Sequence, residues 1–323
     1  MNIKEFSYYV QEHIREYLPE EVRESAAVSV HTKRKTNDAL CYGLMIRYGD
    51  EKVSPLLYLE DAWQLHEKGA NMETLLRNLA EIYAEQPVAF QVDLPLKYEE
   101  IKDKVVYHVL NKEANQLGLK ERIYTDIGQG FVKVYAIHHK LDGCRAEGSI
   151  PISHEIMRQY GYDMQEIRRV AEQNTPQIFP ATFGPFAPLA PLAQALSGKG
   201  QDEFTNNNPD KTGFYILSNT VGHRGAGTLF YPGMQKKIAE HFGKNYYVLP
   251  SSIHELLILP EGAGKTVEEL EQMVRSVNRE AVSKEDFLSN KDLFYDREKE
   301  QLRIVLPDIP DLQTEDRKKG VER

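Results

Sequence analysis

The stretch Tyr246-Tyr247-Val248-Leu249-Pro250-Ser251-Ser252-Ile253-His254-Glu255-Leu256-Leu257-Ile258-Leu259-Pro260 decides how this chain is read. It holds two apolar runs of strand length, each closed by a proline that cannot donate to a sheet ladder. Between them lie two hydroxyls, an imidazole and a carboxylate within five residues. Two short apolar runs joined by a polar turn predict neighbouring strands, and the turn is the densest chemistry in the chain. Immediately downstream, Gly262-Ala263-Gly264-Lys265-Thr266 opens a helical pattern over 266–278. Strands around 293–296 and 301–306 follow. Upstream, Phe214-Tyr215-Ile216-Leu217 reads as a strand and 231–242 as a helix.

Working back to the N-terminus, Phe6, Tyr9, Val10, His13, Ile14, Tyr17 and Leu18 recur at three- and four-residue steps, which predicts a helix over 3–18 ended by Pro19. The runs 26–30, 39–46 and 53–59 are punctuated by Asn37-Asp38 and Gly49-Asp50, which suggests an antiparallel meander. Helices follow over 60–68 and 72–86, the second capped by Asn71. The fold class is therefore α+β. A small domain over 1–90, built as helix, β-meander and helices, precedes a larger mixed α/β unit over 98–306. In the larger unit, 105–110 and 131–137 read as strands, 111–117 as a short helix, and 153–160 as a helix stopped by Gly161. Asp163 caps a further helix through Asn174, ended by Thr175-Pro176. The Pro- and Asn-rich segment at about 181–211 reads as a mobile insertion, and 307–323 as a disordered tail.

With 323 residues, 41% hydrophobic and 28% charged, the chain can bury a core in ordinary soluble proportions. A net charge of -9 disfavours a nucleic-acid surface. The basic knot His31-Thr32-Lys33-Arg34-Lys35 is short and reads as a solvated turn. Two cysteines, Cys41 and Cys144, without CxxC spacing and with no apolar leader before them, point to a reducing, cytoplasmic setting. No apolar run is long enough to span a membrane.

Three motifs invite a catalytic reading and each lacks a required part. A phosphate-binding loop needs a glycine five residues before Gly264, where Leu259 stands; Thr266-Val267-Glu268-Glu269 is instead a capping box. A zinc-protease helix that began at His254-Glu255 would need a second histidine at Ile258. Ser153-His154-Glu155 fails likewise at Arg158. His138 and His139 are adjacent on a strand and face opposite ways. Ser252 and His254 are the residue types of a serine hydrolase, but the chain has no Gly-x-Ser-x-Gly elbow. The loop 218–227 carries glycines that could present amides to an anion, without the Gly-x-Gly-x-x-Gly order.

The order of landmarks resembles one known family. They are Leu110-Asn111-Lys112 with Asn115, Asp126-Ile127, Ala171 with Asn174-Thr175, Leu217-Ser218-Asn219, Leu249 through Glu255, Met273 through Asn278, Leu288-Ser289 and Tyr295-Asp296. Together they resemble the domain-of-unknown-function 5688 family of uncharacterised bacterial proteins. The resemblance implies a bacterial, cytoplasmic protein and carries no activity with it. The balance of motifs favours a non-catalytic binding or regulatory protein with a protein or small-molecule partner and no cofactor or metal. Its candidate site residues are Ser252, His254 and Glu255, with Asn219 and Asn278. The alternatives are a hydrolase using Ser252 and His254, and a nucleotide-binding protein at Gly264-Lys265-Thr266.

Overall fold

The amphipathic N-terminal pattern folds as helix α1 (Ile3–His13), with a 3-10 turn continuing it to Tyr17. Asn2 and Glu5 form a reciprocal cap: Asn2 Oδ1 accepts the Glu5 amide and Glu5 Oε2 accepts the Asn2 amide. A single helical turn, α2 (Glu20–Arg23), leads into a three-stranded antiparallel sheet, β1 (Ala27–Arg34), β2 (Leu40–Arg47) and β3 (Leu56–Tyr58). Helices α3 (Glu60–Glu67) and α4 (Met72–Glu85) follow. Phe6, Val10 and Ile14 of the first helical segment meet Leu44 and Ile46 of β2 and Leu75, Leu76, Leu79 and Tyr83 of α4 in one buried cluster. At about 1.5–3 kcal/mol for each fully buried large apolar side chain, this cluster is what holds the unit. The computed structural model describes residues 1–47, 56–85, 97–140, 147–186 and 213–305. The proline-bounded 87–95, most of the predicted insertion and the tail from 307 lie outside those residues.

The chain divides into two compact units. The first comprises residues 1–101 with Ala114–Lys120; the second comprises 102–113 and the described residues from 121 onward. In the first, a turn at Thr36–Asp38 puts Asn37 (φ 58°) and Asp38 (φ 51°) in the left-handed region that short polar side chains tolerate. Asn115 secures it by accepting the Asn37 amide and donating to Asn37 Oδ1, both at 2.7 Å. Asp38 accepts the amides of Leu117 and Gly118.

Helix α5 (Tyr98–Ile101) ends the first stretch of that unit. The second unit begins with β4 (Val105–Asn111), β5 (Tyr124–Gly128), β6 (Phe131–Lys140) and β7 (Glu147–Pro151), a sheet ordered β4-β6-β5 with β7 also paired to β6. Helices α6 (His154–Tyr160) and α7 (Met164–Ile178) come next, then β8 (Ala181–Pro185) and β9 (Tyr215–Asn219). Helix α8 (Met234–Phe242), the hairpin β10 (Tyr246–Leu249) and β11 (Leu256–Pro260), helix α9 (Val267–Glu280), β12 (Leu293–Asp296) and β13 (Gln301–Ile304) complete the described chain. The second sheet is antiparallel in the order β13-β12-β10-β11-β9-β8. Cross-strand pairs Tyr247–Leu259 and Leu249–Leu257 turn one face toward Leu270, Val274 and Val277 of α9. Tyr246, Val248 and Ile258 are buried on the other face, so the runs are continuously apolar because both faces are covered.

The α+β class, the meander and the strands of the opening stretch match the sequence reading, and four local expectations do not. The basic knot belongs to exposed β1, where His31 to Arg34 pair with Gly43 to Leu40, rather than to a turn. Residues 112–117 form turns, with a 3-10 turn at Gly118–Lys120 in place of a helix. Pro176 sits inside α7, which runs to Ile178. The proline falls in the last turn, where few helical bonds remain to be lost, and the Thr175 hydroxyl beside it donates to Ala171 O and accepts the Tyr107 amide. Residues 181–185, read as the start of the insertion, are strand β8 paired along β9.

Candidate functional site

The polar turn of the opening stretch becomes a hub because two loops converge on it. Strand β9 ends in Ser218 and Asn219, both buried. Asn219 Oδ1 accepts the amides of Val221 and Gly222, and its Nδ2 donates to His223 O at 2.9 Å. A single buried amide thus folds the loop 219–224 back on itself. Ser218 Oγ donates to His254 O at 2.8 Å, the Ala226 amide to Ile253 O at 3.1 Å, and the Arg224 amide to His254 Nδ1 at 3.2 Å. On the other side, the Ile253 amide donates to Asp286 O and the Leu288 amide to Ser251 O, which ties the segment after Pro250 to residues 286–289.

These bonds define the state of His254. Nδ1 accepts from the Arg224 backbone, so Nε2 carries the hydrogen and donates to Asp286 Oδ1 at 2.9 Å. Ser283 Oγ donates to the other Asp286 oxygen. Burial pushes the Asp286 carboxyl up. The hydrogen bonds from His254 and Ser283, with the electrostatic influence of His254 and His223, outweigh it and hold the group below the usual carboxylate range. Burial raises the neighbouring Glu255 carboxyl, with His254 opposing. Ser252 is buried, and its Oγ accepts the amide of His254 at 3.0 Å.

Ser252, His254, Glu255 and Asp286 line a pocket of about 290 Å³, walled by Phe186, Ile216, Leu257 and Val282. Asn219 meets this hub through the loop it folds. Asn278 does not meet it: its Nδ2 is spent on Ser289 O and Asn290 Oδ1, fastening that segment to α9. At Gly264-Lys265-Thr266 the predicted capping box is present, with Thr266 Oγ1 accepting the Glu269 amide and Glu269 Oε2 accepting the Thr266 amide. The amides of the 219–224 loop do not form an anion cradle either, because those of Val221, Gly222 and Arg224 are all spent inside the hub.

On its far side the same loop lines a larger cavity of about 600 Å³. His108 of β4, His138 of β6 and Arg122 border it, and Val221, His223 and Arg224 of the loop complete it over Phe179 and Ser149. The pairings Val106–Ala136 and His138–Ser149 show how the sheet supplies one wall. None of the described residues lining the cavity is acidic. Burial drives His108 well below its ordinary value, with Arg224, His223, His138 and Arg122 each adding to the shift. His223 is lowered by burial and by Arg224 and His254. Arg224 is itself lowered by burial and Arg122, with Asp286 and Glu285 opposing. Arg224 also sits at φ 53°, a left-handed conformation that a bulky side chain adopts at a cost of about 1–2 kcal/mol. The anchors that hold it there are Asn219, through the carbonyl of His223, and His254.

Sequence reasoning found the hub and missed this cavity. Its arginines and histidines come from four separated segments, of which the sequence singles out only His138 and the 218–227 loop, for a metal and for backbone amides. Among the described residues no group of three or more His, Cys, Asp or Glu could hold a metal ion, and no helix is long and apolar enough to cross a membrane.

The fold and the hub define an α+β protein organised around a histidine–aspartate pair beneath a basic cavity. The chain belongs to a family of unknown function, DUF5688, whose model matches residues 3–297. No curated protein and no solved structure matches it.

Proposed function

We propose that this protein is a non-catalytic binding protein whose ligand is a small anion held in the cavity between His108, Arg122, His138, His223 and Arg224. The observation that carries the reading is the convergence of two arginines and three histidines on one concave space with no carboxylate among its described lining residues. Arg224, His223, His138 and Arg122 all act electrostatically on His108, and an anion in the cavity would offset the charge of the two arginines. A volume of about 600 Å³ suits a small metabolite-sized ligand. Ser252, His254 and Asn219 then serve the site by shaping the loop that presents His223 and Arg224, and Glu255 borders the separate, smaller pocket.

Hydrolysis by Ser252 and His254 has little support in this geometry. Ser252 Oγ bonds the amide of His254, and both imidazole nitrogens are committed elsewhere. Nucleotide binding at Gly264-Lys265-Thr266 is likewise disfavoured, since the Thr266 amide and hydroxyl are used in capping.

The test is calorimetric titration of the protein with inorganic phosphate, pyrophosphate and a dicarboxylate, against an uncharged sugar. At least one anion should bind saturably, weaken as salt rises, and lose roughly tenfold or more in affinity in Arg122→Gln, a cost in line with a charge-assisted hydrogen bond. Absence of saturable binding by all three at ~10 mM, which corresponds to less than about 3 kcal/mol, would set the proposal aside.

A further inference from the structure

A second feature of the larger unit has no part in the hub or the basic cavity. Asp292, at the start of β12, is 4% exposed, and among the described residues neither of its carboxylate oxygens has a hydrogen-bond partner. Its own carbonyl accepts the Val305 amide, so the backbone is fixed and the carboxyl is left pointing at unfilled space. That space is a cavity of about 210 Å³ between α9 and β13, with apolar walls from Val267, Ile304 and Val305. Glu271 and Arg275 of α9 also border it, as does Lys291. Arg275 is not available as a built-in counterion, because its Nε and Nη2 both donate to Glu271 Oε1 one helical turn away. Buried carboxylates are ordinarily bonded or paired, and an orphan at this depth calls for an occupant.

We infer that this cavity is a binding site for a small organic cation carrying at least two N–H donors, a guanidinium or a primary ammonium on a short apolar chain, with Asp292 as its acceptor. Both free oxygens of Asp292 match the paired donors of a guanidinium, and the apolar walls take the chain. Glu271 and Arg275 offset each other as an ion pair and Lys291 is exposed at the rim, so Asp292 is the acceptor on which the site rests. A dedicated metal is the poorer fit, since among the described residues no cluster of three ligating side chains surrounds Asp292.

Binding must be linked to protons. Burial, with Glu271 adding and Arg275 opposing, pushes Asp292 up to about 7, so the empty site is half protonated near neutrality. The titratable groups facing it are Glu271 and Arg275 from α9 and Lys291 from its own segment; β13 contributes only apolar side chains. A cation displaces the proton and binds the ionised form.

The experiment is calorimetric titration of the full chain with methylguanidine and with n-butylamine. Tetramethylammonium, which has charge but no N–H donor, is the control. Saturable binding of one of the first two at pH 8 is expected, with affinity about tenfold weaker at pH 6, where most of the Asp292 carboxyl is protonated. In buffers of different ionisation enthalpy, close to one proton should be released per cation at pH 6 and almost none at pH 8. Asp292→Asn, checked for an unchanged circular dichroism spectrum, should bind neither. The proposal is overturned by any of three results: no saturable binding at pH 8 up to ~10 mM, equal binding of tetramethylammonium, or the same proton release in Asp292→Asn as in the unaltered chain.

Discussion

Gly225→Ala is the sharpest test of how the histidine hub is built. Gly225 opens the 3-10 turn after the 219–224 loop and packs against the end of β9 and the strand-linking segment. A Cβ added there would stand 2.3 Å from Ser218 Oγ, 2.5 Å from His254 O and 2.8 Å from the Asn219 amide nitrogen. Two of those three atoms are backbone, so a side-chain rotation cannot relieve the clash. The serine hydroxyl can rotate, but only by giving up its 2.8 Å bond to the same His254 carbonyl. Overpacking of this kind costs about 1–3 kcal/mol, and a lost internal hydrogen bond adds about 1. The expected destabilisation of the larger unit is therefore about 2–4 kcal/mol. Gly233 supplies the control. Its φ is 74° but nothing lies within 4 Å of a Cβ there, so alanine should cost only the left-handed strain of about 1–2 kcal/mol. The assay is urea unfolding followed by circular dichroism, because the single tryptophan, Trp63, lies in the other unit and would report the wrong transition. Anion affinity should fall with Gly225→Ala and stay unchanged with Gly233→Ala. A Gly225→Ala protein within ~0.5 kcal/mol of the unaltered chain, the size of an ordinary surface substitution, would refute the close-approach argument.

Other expectations follow from particular side chains. Asp292 has a folded-state value near 7 against an ordinary 3.8, so between those limits the native state holds a proton that the unfolded chain has lost. Stability should fall as pH rises through that window, by at most about 4 kcal/mol at 1.4 per unit, and Asp292→Asn should flatten the profile in urea titrations from pH 4 to 8. Lys133 is buried, pairs with Glu172 and lies 4.0 Å from the Tyr107 ring centroid. Removing the carboxylate alone, as in Glu172→Leu, strands the ammonium and should cost about 3 kcal/mol, whereas Lys133→Met keeps the packing and should cost under about 1.5; thermal unfolding that ranked them in reverse would contradict this. Thr266→Ala removes the α9 cap and should cost about 1 kcal/mol in the same measurement, without altering anion binding.

What could be read from the residues was whatever is encoded locally. The capping box at Thr266–Glu269 is a four-residue signal, and it is present. The apolar runs flanking Ser251–Glu255 are long enough to specify strands whatever covers them. Pro176 misleads because it falls in the last turn of α7, and Thr175 beside it is held by the Tyr107 amide only once α7 has docked on β4. The site shows the same division between local and distant information. The density of Ser252, His254 and Glu255 marks a place where the chain needs polar groups. That density says nothing about whether they face a ligand or one another, and in the fold His254 meets Asp286, thirty-two residues on, and the Arg224 amide, thirty residues back. The basic cavity is the extreme case: His108, Arg122, His138 and Arg224 share no common motif and become one site only through strand pairing and a loop folded by Asn219. A chain with a net charge of -9 can still gather arginines and histidines in one place where the sheet brings them together, so the overall balance disfavours a broad basic surface without speaking to a local cavity.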